Sequence, residues 1–294
     1  MPALIWLASY PKSGSTWLRT ALHILQHGPL RSSAALELTM PSIHGDNAER
    51  WHSAARAGGI VLTHKAPASH QERYPLGEGV LQLVRHPADV LLSDARYFAL
   101  TQLDRWLLKQ GRTQPQPGDL ETLVSMHLTA VVNTGTTPRA TQLGFGSWAD
   151  NVDGWATHSS DRPGLLVRYE DLKARPAAEL TRIADALGLP TTALNLAVQG
   201  SSLGAMKQLQ EREIQRREPG RFYEARHEKA YKAGLRFVSQ GQVGQGGRLP
   251  SAALRALHAR WGTVAARFGY SLAPDTDPVT PLPEPLQAAR PLPR

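Results

Sequence analysis

The stretch Tyr10-Pro11-Lys12-Ser13-Gly14-Ser15-Thr16-Trp17 stands between a short apolar run, Ala3 to Ser9, and a segment in which Trp17, Leu18, Ala21, Leu22 and Leu25 recur at helical spacing. That order is strand, loop, helix. A helix N-terminus carries backbone N–H groups without intrahelical acceptors and the positive end of a dipole. A loop there with a glycine, several hydroxyls and a lysine therefore suits a phosphate. The same residues also fit an ordinary capped helix start, with Ser13 or Ser15 as the cap. Gly28-Pro29 ends the helix, because glycine accepts the left-handed conformation and proline cannot continue it. The Walker A order of glycines, lysine and hydroxyl is not met, which speaks against an ordinary NTPase.

Outward from this loop, short apolar runs recur at Gly59 to Thr63, Val80 to Val84 and Leu165 to Tyr169, each bounded by turn residues or a polar switch. They read as strands buried on both faces, as in a parallel sheet covered by helices. Helical periodicity marks Ala88 to Leu100, Leu120 to Val132, Trp148 to Thr157, Ala177 to Leu187 and a last segment from Ser251 that carries Leu254, Leu257, Trp261, Val264 and Phe268 on one side. The class is α/β, with one domain over residues 1–270 and a Pro-rich tail, 271–294, expected to be disordered. The 294 residues, 41% hydrophobic, suffice for one large core. Cysteine is absent, which removes disulfides, thiolate metal sites and thiol nucleophiles. The formal charge of +8 favours anionic partners without separating nucleic acid, nucleotide or membrane. No run reaches the roughly 20 apolar residues of a membrane span, and Ala3 to Ala8 lacks the flanks of a leader, so a cytoplasmic location is expected.

The loop closely resembles the 5′-phosphosulfate loop of the sulfotransferases that use 3′-phosphoadenosine 5′-phosphosulfate (PAPS), usually Tyr-Pro-Lys-Ser-Gly-Thr-Thr-Trp. Ser15 keeps the hydroxyl of the usual threonine. Further segments match in the same order up to about Tyr270. Leu83 to Val90 followed by Ser93 is similar to the family's 3′-phosphate segment, and Thr63-His64 to the position of its catalytic histidine. Gly146-Ser147-Trp148 and Tyr169-Glu170-Asp171-Leu172 match two further landmarks, and Ser201-Ser202-Leu203 with Met206-Lys207 the adenine side. The resemblance implies a central parallel sheet flanked by helices in a P-loop-NTPase-like three-layer architecture. It also implies PAPS as donor, PAP as product, no metal, and transfer to a hydroxyl or amine. Lys12, with Ser13, Gly14, Ser15, Thr16 and Trp17, would hold the 5′-phosphosulfate; Arg85 and Ser93 would hold the 3′-phosphate; Tyr169, Ser201, Leu203 and Gly241 would lie at the nucleotide. His64 would be the general base, a role suited to imidazole near neutral pH.

Two departures stand out. Where the family carries Arg-Lys-Gly-x-x-Gly-x-Trp, this chain has Ser239-Gln240-Gly241-Gln242-Val243-Gly244-Gln245-Gly246, keeping the glycines and losing the charges. Arg236 or Arg248 could substitute. Leu203 stands where an aromatic ring commonly stacks on adenine. His23 and His27, four apart, could pair on a metal, but no carboxylate stands near them in sequence. Glu170-Asp171 fits a capping or structural role better than a metal site. Two other readings remain: an ATP-dependent nucleotide kinase, and an inactive nucleotide-binding protein. Nucleic-acid binding is not expected, because the basic stretch from Lys207 to Arg236 is interleaved with glutamates and reads as a mixed solvated surface. Segments around His44 to Trp51 and Ala99 to Phe145 would line a pocket for an apolar or aromatic small-molecule acceptor.

Overall fold

The computed structural model describes residues 3–44, 50–158, 162–273, 278–282 and 292. Four strands, β1 (Ile5–Ser9), β2 (Ile60–Thr63), β3 (Gly79–Val84) and β4 (Gly164–Arg168), pair in parallel in the order β2-β1-β3-β4. In the central register Leu7 lies beside Leu62 and Leu81, and Leu81 beside Leu165. Period-2 alternation divides these side chains between two faces. Ile5, Leu7, Ile60, Leu62, Leu81, Leu83, Leu165 and Val167 pack under helix α1 (Ser15–His27) and the helices Pro176–Leu187 and Leu194–Gly200. On the other face Ala8 and Val80 meet Trp155, Gln82 donates to the Val152 carbonyl at 2.7 Å, and Val84 joins Trp148, Trp261 and Phe268. The helices Trp148–His158 and Ser251–Arg267 cover that side. These are the three layers expected, and all four strands lie where the apolar runs placed them.

The helix after β3 runs Pro87–Lys109, a full nine residues past Leu100, because Leu103 and Leu107 continue the apolar stripe at 0% exposure. The Lys207 to Arg236 stretch differs more from its sequence reading. Its first part forms the helix Leu203–Arg216, and the segment buries Leu209, Gln210, Glu213, Phe222, Tyr223 and Tyr231. Polar residues there turn inward because partners await them. Glu213, fully buried, accepts from the Ser33 N–H and hydroxyl, both at 2.6 Å. In the tail, Val279 bridges to Tyr270, Thr280 N–H donates to the Gly269 carbonyl at 2.8 Å, and Leu292 is buried in the core beneath α1. Tail residues 274–277, 283–291 and 293–294 lie outside the described residues, as do 45–49 of the expected acceptor segment. Among the described residues no helix is long and apolar enough to cross a membrane.

Leu7 is wholly buried at the centre of the sheet. Leu7→Ala is expected to lower unfolding stability by about 2–5 kcal/mol, read as a lower urea midpoint with unchanged slope.

Candidate active site

Parallel strands all present their C-terminal ends on one edge, and each strand here delivers a residue singled out in the sequence. β1 leads to Lys12, β2 to His64, β3 to Arg85 and β4 to Tyr169. Connections leaving β1 and β3 diverge to opposite sides of the sheet, the arrangement that opens a ligand crevice in α/β folds.

The loop after β1 is shaped by two left-handed residues, Lys12 at φ 67° and Gly14 at φ 106°. A Cβ on Gly14 would stand 2.6 Å from the Tyr169 ring, so glycine is required by both conformation and space. Gly14 is the N-cap of α1 and no side chain caps it, which removes the reading of Ser13 or Ser15 as an ordinary cap. Among the described residues the N–H groups of Gly14, Ser15, Thr16 and Trp17 donate to no protein acceptor. The Ser13 hydroxyl, completely buried, also lacks a partner. Buried donors without acceptors are rare because each costs about 1–3 kcal/mol. A concave set of them at a helix N-terminus fits an oxyanion. The Lys12 ammonium lies 4.3 Å from the Tyr97 ring centroid and 4.1 Å from that of Phe237. Desolvation first, then the charge of Arg221, depress its pKa to about 7, with Asp94 opposing.

Arg85 is buried and packs 4.2 Å over the Tyr169 ring. It donates to the carbonyls of Lys12 at 3.4 Å and Gln242 at 2.9 Å, while its Nε is buried without an acceptor. Ser93, half-buried one and a half turns along the next helix, has no hydroxyl partner among the described residues. The residues expected on the nucleotide side lie together: Trp17 Nε1 donates to the Ser201 hydroxyl at 3.3 Å, Tyr169 donates to the Gly241 carbonyl at 2.9 Å, Leu203 and Trp17 both pack on the cluster of Met206, Leu209, Phe222 and Val238, and Leu203 lies against Gly241. Glu170 accepts from His86 N–H and the Tyr270 hydroxyl, and Asp171 pairs with Arg168, so both are structural.

His64, 7% exposed, is oriented from three sides. Its Nδ1 is 2.7 Å from the Ser9 carbonyl; a carbonyl can only accept, so Nδ1 carries the proton and Nε2 presents its lone pair. The backbone N–H of His64 donates to His44 Nε2 at 2.7 Å, and the two imidazoles stack with centroids 5.1 Å apart. Asn151 donates to the carbonyls of His64 and Phe145 at 2.9 and 3.0 Å. Burial dominates the His64 pKa and lowers it to about 3, against the opposing Ser9 hydrogen bond, so the ring is neutral at ordinary pH.

The uncharged segment in place of the family's Arg-Lys pair is tied down by Asp89, which accepts from Gly244 N–H at 2.9 Å and Gly246 N–H at 2.6 Å. Of the two substitute cations, Arg236 is paired with Glu211 at 2.6 Å, and Arg248 is exposed. Arg96, one turn beyond Ser93, instead reaches Gln245 at 2.9 Å. Asn151 and Arg96 carry no local signal in the sequence; Asp89 stands inside the quoted 3′-phosphate segment, and His44 opens the expected acceptor segment without a sign of its contact with His64. His23 and His27 have ring centroids 5.2 Å apart, and His23 contacts the Thr39 hydroxyl. Among the described residues no group of three His, Asp or Glu is placed to hold a metal.

The Sulfotransferase domain family matches residues 2–235, so the chain belongs to the sulfotransferase family. It is 24% identical to mouse sulfotransferase 1A1 over 222 residues, covering 70% of this chain and 68% of that protein. To mouse sulfotransferase 1B1 it is 26% identical over 231 residues, 70% of this chain and 66% of the relative. Mouse sulfotransferase SULT7A1, solved in complex with PAP, superposes with a TM-score of 0.54 at 20% identity, covering 89% of this chain and 84% of that one. Retinol dehydratase in complex with androsterone and inactive cofactor PAP gives 0.50 at 16% identity, over 95% and 82% of the chains. These two likenesses concern the fold.

Removing the Asp89 carboxylate leaves two N–H groups without their acceptor. Asp89→Ala is expected to abolish the amide-exchange protection of Gly244 and Gly246 while α1 keeps its own, as read by hydrogen-exchange mass spectrometry.

Proposed function

We propose that this chain moves a sulfuryl group from PAPS to a hydroxyl or amine of a small-molecule acceptor by in-line displacement, with His64 as general base. The observation that carries this reading is the set of unpartnered donors around Lys12: four consecutive N–H groups and the buried Ser13 hydroxyl, beside a desolvated ammonium. They fit the 5′-phosphosulfate. When bound, PAPS supplies the activated sulfuryl group and, in its 5′-phosphate, the leaving group. Preorganised donors stabilise charge that grows on a departing oxygen without reorganising at that moment. Lys12, Ser13, Gly14, Ser15, Thr16 and Trp17 would take this part. The orphaned Nε of Arg85, with the Ser93 hydroxyl, would take the 3′-phosphate. Trp17, Tyr169, Ser201, Leu203 and Gly241 would meet the nucleoside.

His64 would accept the acceptor's proton at Nε2, the nitrogen left free by the Ser9 hydrogen bond. Its neutrality keeps that lone pair available. The aromatic wall of Phe145, whose ring lies 5.2 Å from His44 and 5.9 Å from His64, excludes water and suits an apolar or aromatic body. An ATP-dependent kinase is not favoured, since the loop lacks the Walker order.

His64→Ala is expected to lower kcat by roughly 10²–10⁴ while PAP affinity, measured by calorimetry, stays unchanged. Retained turnover would remove His64 from the base role. In the wild-type protein the acid-side inflection of kcat/KM should lie well below 6.5, because His64 stays neutral down to about 3.

Lys12 yields a prediction of opposite sign. Its free-state pKa of about 7 rises once an anion binds, so PAP affinity should be highest below pH 7 and fall above it, by up to about tenfold per pH unit. Binding at pH 7–8 should take up protons, and Lys12→Met should flatten the slope. An affinity that rises with pH would overturn this assignment.

A further inference from the structure

Arg221 is fixed at its backbone and unpaired at its charge. Its N–H donates to the Ser33 hydroxyl at 2.7 Å, and the next N–H, from Phe222, reaches the same oxygen at 3.3 Å. Ser33 is in turn held by Glu213, and both are fully buried. The guanidinium, by contrast, forms no ion pair and donates no hydrogen bond among the described residues, and its Nε is shut off from solvent without an acceptor. An arginine with five donors and no acceptor is costly when partly desolvated.

Its position gives the orphan charge a direction. The Arg221 guanidinium carbon lies 5.1 Å from the Phe237 ring centroid, and Lys12 Nζ lies 4.1 Å from the same point. The two cations are thus no more than about 9 Å apart, inside the ~10 Å over which salt screens exposed charges. The field of Arg221 also reaches His64 and His44, helping to keep both rings neutral. The donor's anions already have partners in the reading above: the loop and Lys12 for one phosphate, Arg85 and Ser93 for the other. Arg221 comes from a separate segment and adds a third cation, packed on Phe237 and with its field felt at the base.

Resting on the sulfotransferase reading, we propose that Arg221 recognises a carboxylate or phosphate carried by the acceptor, so that the acceptor is an anionic molecule whose hydroxyl or amine faces His64. Phe237 and Phe145 then supply apolar walls, and the guanidinium fork fixes the acid group bidentately. This narrows the expected apolar or aromatic acceptor to an acidic one.

Binding tests this independently of turnover. PAP-loaded protein is titrated calorimetrically with phenylacetate, phenyl phosphate and the uncharged methyl phenylacetate. One of the two anions is expected to bind at least about tenfold tighter than the ester, and which one separates carboxylate from phosphate. Arg221→Met should erase that preference, leaving ester and PAP affinities as they were, and Arg221→Lys should restore part of it. The proposal is overturned if neither anion outbinds the ester, if the preference survives in Arg221→Met, or if that variant loses PAP affinity instead, which would give Arg221 to the donor. Failure of wild-type protein to bind PAP at all would sink the sulfotransferase reading itself.

Discussion

The turn at Lys12 and Gly14 governs the site, because two left-handed residues flanking Ser13 swing the chain so that the first N–H groups of α1 face inward. That conformation is unfavourable for lysine and is held by what surrounds it. Tyr169 closes on the bare face of Gly14, Arg85 donates to the Lys12 carbonyl, and Phe237 and Tyr97 flank the ammonium. Residues from the ends of β3 and β4, from the helix Pro87–Lys109 and from the segment at Phe237 thus converge on this loop.

Charge is the second organising constraint. The site gathers Lys12, Arg85 and Arg221 with few carboxylates close by, and desolvation pushes both Lys12 and His64 towards their neutral forms. Aromatic faces offset part of this cost through cation–π contact. Asp89 offsets another part, lying 3.8 Å from Arg85 while it holds the glycine-rich segment by two N–H groups. This also explains how that segment keeps its path without the family's Arg-Lys pair. Its glycines supply the backbone shape, and Asp89 anchors them.

Much was legible in the sequence for physical reasons. Apolar runs this short, bounded by turns, are too brief for buried helices and read as strands buried on both faces, and Gly14, Lys12, His64 and Arg85 follow strand ends whatever the details of packing. The buried side of the Lys207 to Arg236 stretch is not legible locally, because its polar residues look solvated until their partners are known: Glu213 meets Ser33 from 180 residues away. The His44–His64 contact and the role of Asn151 are hidden for the same reason, since nothing local marks a histidine that receives a distant N–H or an asparagine that bridges two carbonyls.

By itself, the sequence determined the α/β class, the four strands, the glycine-bearing turn into α1 and the family, because periodicity, glycine placement and motif order are local properties. The tertiary structure alone decided which cations are paired, which imidazole nitrogen bears the proton and how far burial lowers each pKa. Those depend on distances between segments far apart in the chain, and electrostatic energy is set by distance and desolvation, which no local pattern encodes.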